Sequence, residues 1–299
     1  MKYSPVLFAF SLLTAAAFAA DGEKKSVVLI AGRPSHGPGE HEHNAGIQLF
    51  AKCLKEGAAN LVDVKVHLNA EWPDATELAK ADTVIIYADG GPAHPAIQGD
   101  HLEQLEAQMK RGCGFGCIHY GVEIPAEHGG PEFLKWLGGY FEANWSVNPT
   151  WQAEFQPFPP HPVANGVHPF SSVDEWYFHM RFPTDEKGQT KLLQAVPTPD
   201  TMSRKDGPHE GNPTVRAEVE AKKLQTTCWA YERQDGSGGR GFGFTGGHFH
   251  KGWGNDEQRK LVLNGIVWTA HAEVPANGVE SHPTAEDLTA NLDQKAPRK

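Results

Sequence analysis

The sequence predicts an α/β fold built on a mostly parallel sheet, and three observations predict it. Short β-branched runs alternate with stretches whose apolar residues recur at helical spacing; the first of these runs is continuously apolar, as a strand buried on both faces is; and glycine, proline or polar residues follow it at once.

The first run, Ser26-Val27-Val28-Leu29-Ile30-Ala31, opens the fold and passes into GRPSHGPGEHEHN, a loop holding His36, His41 and His43 with two glutamates. A helix is expected from Ala45 to Lys55, with Ile47, Leu49, Phe50 and Leu54 on its apolar face and Asn44 as its N-cap. Val62 to Leu68 and Thr83 to Ala88 read as the second and third strands, Ile97 to Lys110 as a helix, and Gly112 to His119 as the fourth strand. Pro131 to Leu137 reads as a short helix with proline near its start. This alternation implies right-handed crossovers and a parallel sheet. From about residue 140 to 226 prolines break the rhythm, and a β-rich, proline-rich insertion with long loops is expected. Strands return at Thr226 to Arg233 and Gly241 to Thr245, and a last helix at Asp256 to Ala270. One domain over residues 25–273 is expected, and residues 274–299 read as a polar, loosely held extension.

Residues 1–20 join a basic start to an apolar core too short to span a bilayer, closing on Ala17-Phe18-Ala19-Ala20. That pattern is a secretory signal peptide, so an exported protein, periplasmic or extracellular, is expected, without a membrane anchor after cleavage. A net charge of −10 without any basic run argues against nucleic acid and anionic membrane partners and favours a neutral small molecule. The four cysteines are too few and too scattered for a disulfide scaffold, although one bridge after export stays open.

Ligands of open α/β sheets bind at the carboxyl ends of the strands, so polar residues there carry the functional reading. His36, His41 and His43 follow the first strand, His119, Tyr120 and Glu123 the fourth, and His248 and His250 the late one; VDEWYFHMR in the insertion adds Asp174, Glu175, Tyr177, His179 and Arg181. The pairs His41-Glu42-His43 and His248-Phe249-His250 would each aim two imidazoles one way in extended chain. With His119 they form the candidate ligand set for a divalent metal, zinc or manganese; imidazoles working as acid and base without a metal are the alternative. The run GFGFTG matches G-x-G-x-x-G, yet it lacks the following strand and acidic residue of a dinucleotide fold, and no nucleotide is expected. Its glycines read instead as allowing close backbone approach and a sharp turn into His248. Trp145, Trp176 and Trp253 flank the polar groups and are candidate platforms for a sugar ring, with Tyr120, Glu123, Glu175 and His179 as further substrate-binding candidates.

The blocks VVLIAGRPSHGPGEHEHNAG, GFGCIHYGVE, DEWYFHMRF and GRGFGFTGGHFHKGW…RKLVLNGIVW together resemble the ThuA-like, or trehalose-utilisation, family, in the expected order over nearly all of the chain after residue 20. The resemblance implies a flavodoxin-like sheet with helices on both faces, similar to class I glutamine amidotransferases. Those enzymes place a cysteine at a strand-to-helix elbow, where this chain has His119, with Cys117 two residues earlier on the strand. The resemblance also implies sugar catabolism on 3-keto-sugars or 3-keto-glycosides, by proton abstraction next to the carbonyl and then isomerisation, elimination or hydrolysis. His36, His43, His119 and His248 are the expected catalytic group. A non-catalytic carbohydrate-binding or scaffolding protein and a Cys117-dependent amidase or hydrolase are the alternatives.

Overall fold

The computed structural model describes residues 23–156 and 158–296. The signal peptide read at residues 1–20 lies outside them.

Seven strands form the main sheet. In chain order the elements are β1 (Lys25–Ala31), α1 (His43–Gly57), β2 (Val62–His67), α2 (Ala75–Lys80), β3 (Thr83–Tyr87), α3 (His101–Lys110), β4 (Gly114–Ile118), α4 (Gly130–Trp136), β5 (Trp151–Phe155), β6 (Phe170–Asp174), β7 (Gln189–Ala195), α5 (Pro213–Glu220), β8 (Gln225–Glu232), β9 (Arg240–Phe244) and α6 (Asp256–Thr269). The sheet order is β2-β1-β3-β4-β9-β8-β7. Strands β2, β1, β3, β4 and β9 run parallel, while β8 pairs antiparallel with both β9 and β7. The 2-1-3-4 start is the flavodoxin-like order, so the expected α/β architecture holds.

Alternation along the strands divides the core into two layers. Val27, Leu29, Ile85 and Tyr87 face α1 and α6, where Phe50, Leu54, Leu261 and Ile266 are fully buried. Val28, Ile30, Val84 and Ile86 face the other side, against Leu78, Leu105, Met109, Phe133 and Trp136 of α2, α3 and α4. Burying such side chains contributes about 1.5–3 kcal/mol each, so this double-sided core is what holds the strand ends in register.

The structure corrects or extends the reading at four points. The helix α2 is additional, capped by Asp74, whose carboxylate accepts from the N–H groups of Thr76 and Glu77. Helix α1 begins at His43 with Glu42 at the N-cap position, so Asn44 is no cap; its side chain donates to Asn69 and Asp293 instead. The β-rich, proline-rich stretch also contributes β7 to the main sheet and holds the helix α5, while β5 and β6 pair apart from the main sheet. The C-terminal segment is held rather than loose: Lys295 Nζ lies 3.2 Å from the Glu42 carboxylate, with both side chains buried. All four cysteines are buried free thiols.

Candidate active site

Four segments converge at the carboxyl ends of β1, β3, β4 and β9, which are neighbours in the sheet. The loop after β1 delivers His41, the residue after Ala88 beyond β3 is Asp89, β4 ends one residue before His119, and β9 leads through Thr245 to His248. From β6, Glu175 reaches across to the same point. His41 Nε2 stands 3.1 Å from His119 Nε2 and 3.0 Å from His248 Nδ1. Glu175 Oε2 stands 3.3 Å from His248 Nδ1 and 3.7 Å from His119 Nε2.

Backbone geometry makes this convergence. His41 and His119 sit at φ 46° and 54°, left-handed conformations that cost a non-glycine residue about 1–3 kcal/mol and concentrate at functional sites. The His119 turn breaks β4 abruptly and throws the ring over the sheet edge. Gly247, at φ 103°, supplies the equivalent turn before His248, and a side chain at Gly246 would strike the Trp176 ring at 2.4 Å. The glycines of GFGFTG therefore serve packing and turning, with a Gly243 side chain likewise excluded by Trp229. The first and last of these loops are tied together, His41 N donating to the His248 carbonyl at 2.9 Å and His250 N to the Gly39 carbonyl at 2.9 Å.

One carboxylate organises the other side. Asp174 is fully buried and accepts from the N–H groups of Gly247 at 2.8 Å, His248 at 3.0 Å, Phe249 at 3.4 Å and Glu175 at 2.8 Å. It thereby staples the loop of His248 to the segment of Glu175. Burial pushes its pKa up to about 6, against the pull of those N–H groups.

The protons of the cluster can be assigned from its partners. His119 Nδ1 faces the Thr245 carbonyl at 2.8 Å, an acceptor only, so it carries the hydrogen and Nε2 presents a lone pair. His41 Nδ1 faces the Asp89 carboxylate at 2.6 Å, and by the same logic its Nε2 presents a lone pair. Burial, reinforced by the neighbouring imidazoles, holds both rings far below the usual histidine range and hence neutral. Burial depresses His248 as well, but the Glu175 carboxylate, with Asp174 and Glu40, outweighs it and raises the ring. Tyr177 Oη lies 3.3 Å from the His119 Nε2 lone pair, and His248 Nδ1, when that ring is protonated, faces the His41 Nε2 lone pair at 3.0 Å.

This donor set fits a cation. Around a tetrahedral zinc with bonds of about 2.0–2.1 Å, neighbouring ligand atoms stand about 3.3 Å apart, and the four separations given above lie between 3.0 and 3.7 Å. The residues able to hold such an ion are His41, His119, His248 and Glu175, whose four ligand atoms lie within 4.8 Å of one another. The Asp89–His41 pair is the carboxylate–histidine arrangement that orients a ligating ring.

The remaining candidates divide between the mouth of the site and the rest of the fold. His36 is exposed at the mouth, its ring 3.6 Å from that of His41 and 5.7 Å from that of His248, and with His41 and Asp89 it forms a second group of closely spaced ligand atoms. His43 stands behind the cluster, fully buried, 3.8 Å from Asp89 and donating to the Arg33 carbonyl, so it reaches neither a shared ion nor a substrate. His250 is buried and takes no place in the ligand group. Both H-x-H pairs fail for one reason: His43 starts α1 and His250 starts a 3-10 turn over His250–Gly254, so neither pair is extended chain. Trp176 and Trp253 are fully buried against Phe155, Phe244 and Phe50, and cannot serve as sugar platforms. Trp145 and His179 stack at 4.4 Å in a separate cavity of about 370 Å³ whose lining includes Arg181 and Glu218 but no residue of the histidine group. Tyr120 stays at the site, its ring 5.9 Å from that of His41, and Glu123 is paired to His209. Cys117 is fully buried on β4, and burial raises its thiol well above the usual range, which removes it as a nucleophile.

Asp89, which holds the His41 ring, is absent from the sequence candidates although it follows a predicted strand end, and His209, the partner of Glu123, reads from sequence as a surface residue beside Pro208.

A model of the ThuA family, described as trehalose utilisation, matches residues 27–269. Among solved structures, a ThuA-like protein from Bacteroides uniformis is 16% identical over 89% of this chain and 95% of that one, at a TM-score of 0.57. A ThuA-like protein from Parabacteroides merdae is 15% identical over 87% of this chain and 94% of that one, at a TM-score of 0.53. No curated protein matches the chain.

Proposed function

The chain belongs to the ThuA, trehalose utilisation, family, and on that premise we propose that it is an exported enzyme of sugar catabolism that removes the proton beside the carbonyl of a 3-keto-sugar or 3-keto-glycoside. The observation that carries this reading is the convergence of His41, His119, His248 and Glu175, from four distant segments, on one point at the carboxyl edge of the sheet.

A ketone at C3 acidifies the hydrogen on C2, so a base can take that proton while the C–H electron pair becomes a C2–C3 double bond and the carbonyl oxygen takes up the charge. The group at C1 then leaves, or the proton returns to another carbon. A divalent cation held by the four residues, zinc in preference to manganese on this nitrogen-rich donor set, would polarise the carbonyl and stabilise the developing oxyanion. The chain's own part is orientation: Asp89 and the Thr245 carbonyl lock the rings of His41 and His119, and Asp174 locks the backbones of Glu175 and His248. Burial, then Glu123, Asp89 and Glu175, keep the Tyr120 hydroxyl protonated, a donor for a sugar oxygen. Beside Asp89 a cavity of about 420 Å³, bounded by Arg33, Gln98 and His101, has the size of a small-molecule site.

The alternative of a non-catalytic carbohydrate-binding protein leans on tryptophans beside the crevice, and two of the three lie in the core. The test is proton NMR of methyl 3-keto-glucoside in D2O with zinc-loaded protein. Loss of the C2 proton signal, or release of the C1 group, supports the reading. Binding by calorimetry with neither change favours the carbohydrate-binding protein.

A further inference from the structure

If His41, His119, His248 and Glu175 hold a cation, the three imidazole lone pairs are engaged and the second Glu175 oxygen already accepts from Asn148, which leaves no group of the set well placed to take a proton from carbon. Another group has to do so. Resting on the keto-sugar reading above, we infer that His209, held by Glu123, is the proton-transfer pair of this site.

The pair is built from both halves of the fold. Glu123 follows the His119 turn and is almost fully buried, while His209 comes from the irregular chain before α5, 86 residues later. His209 Nε2 stands 3.0 Å from each oxygen of the Glu123 carboxylate, and its ring stacks on Phe141 at 5.3 Å. Backbone contacts fix the segment that carries it: Asn148 N donates to the His209 carbonyl at 2.9 Å, and Arg204 donates to the same carbonyl and to the Asn148 side chain. Asn148 in turn donates to Glu175 Oε1 at 3.3 Å, which ties the pair's support to the ligand group.

Tyr120 neighbours both groups, its hydroxyl and the Glu123 carboxylate lying close together beside Gly91. Its ring packs toward His41, and the carboxylates of Glu123, Asp89 and Glu175 all act on its hydroxyl. Glu123 also borders a cavity of about 420 Å³ with Gly91, Pro92 and Asn144, so a small molecule has room beside it.

The chemistry follows from the tautomer. Glu123 accepts the Nε2 hydrogen and leaves the Nδ1 lone pair to take the substrate proton. The C2–H pair moves into the C2–C3 bond, the carbonyl pair moves onto oxygen, and the proton resides on Nδ1 of an imidazolium stabilised by the carboxylate. The imidazolium, whose proton exchanges with solvent, then returns a proton to C2 or the neighbouring carbon, or to the C1 oxygen as that group departs. The charged and titratable groups acting on the ring are Glu123, Glu210 and Glu175, with Arg204 at its backbone; Glu123 dominates and raises the ring's pKa.

The experiment follows C2 hydrogen exchange of methyl 3-keto-glucoside in D2O for zinc-loaded parent, His209→Ala, Glu123→Gln and His119→Ala. The expected result is at least a 100-fold loss of exchange in His209→Ala with zinc content at the parent's level, partial recovery on adding free imidazole, and an acid limb of the pH profile moved to lower pH in Glu123→Gln. His119→Ala is expected to lose zinc. Exchange at the parent rate in His209→Ala, or a loss that imidazole does not restore, overturns the pair's role and leaves the keto-sugar reading standing. A parent that catalyses no exchange overturns that reading and the pair's role with it.

Discussion

His41 Nε2 and His119 Nε2 face each other across 3.1 Å, and each ring has already committed its hydrogen elsewhere, to Asp89 and to the Thr245 carbonyl. Two buried lone pairs at that separation repel unless donors or positive charge meet them; without a metal, His248 Nδ1 at 3.0 Å and Tyr177 Oη at 3.3 Å are the donors at hand, and a cation would engage both lone pairs at once.

Metal binding is the first consequence. The parent protein is expected to hold zinc in titrations against a chromogenic chelator, and His119→Ala to lose it while His250→Asn keeps it. Asp89→Asn should weaken affinity about 10–100-fold by freeing the His41 ring. Equal affinities for the parent and Asp89→Asn would show that Asp89 does not orient the ligand.

Acid sensitivity of the metal-free protein is the second. His94 is fully buried, and burial lowers it from 6.5 to about 4, with its Nε2 donating to the Gly121 carbonyl. It is neutral in the folded state, so as pH falls below 6.5 the unfolded chain binds the extra proton. Stability is then expected to be flat above about pH 7 and to fall by about 1.4 kcal/mol per pH unit for this residue down to about pH 4. Burial moves His41, His43 and His119 the same way. Urea midpoints that stay constant from pH 7 to 4.5 would contradict this.

Asp174 gives the third. Its carboxylate serves four backbone N–H groups of two loops, and Asp174→Ala strands several of them in a dry interior. A loss of about 3 kcal/mol or more is expected, at about 1–3 kcal/mol for each buried donor left unsatisfied, together with lost zinc affinity. Urea unfolding checks the first part; an unchanged midpoint would mean that water replaces the carboxylate.

The C-terminal segment gives the fourth. Lys295 pairs with Glu42 and donates to the carbonyls of Glu40 and His41, so it clamps the loop that presents His41. Lys295→Ala is expected to cost about 3 kcal/mol by leaving a buried carboxylate short of its partner. A double-mutant cycle with Glu42→Gln measures the pair directly, and a coupling near zero would place Lys295 outside the clamp.

Much of the architecture was legible before folding is considered. The apolar runs of β1 and β3, the helix of Leu105 and Met109, and the apolar residues of α6 are local patterns of period two or 3.6, and burial in the sheet and its two helical layers is what those patterns encode. His41, His119 and His248 were among the strand-end candidates and Glu175 among those of the insertion, and the structure brings these four together, though with His41 in the group where the sequence reading put His36 and His43. The place of β7 was not legible, because a strand shared between an irregular stretch and the main sheet has no local mark of its partner.

What the sequence by itself determined was the parallel α/β order and the set of segments that end at its carboxyl edge. Which side chains meet there was decided only by tertiary structure. His43 and His250 carry the same residue type as His41 and His248 two positions away, but each begins a helical turn, and a change of backbone dihedral at one residue sends the ring to the other side. His41 and His248 come together across 207 positions because β1, β3, β4 and β9 lie side by side and Asp174 and Lys295 pin the loops beyond them. Those are long-range contacts, and no window along the chain contains them.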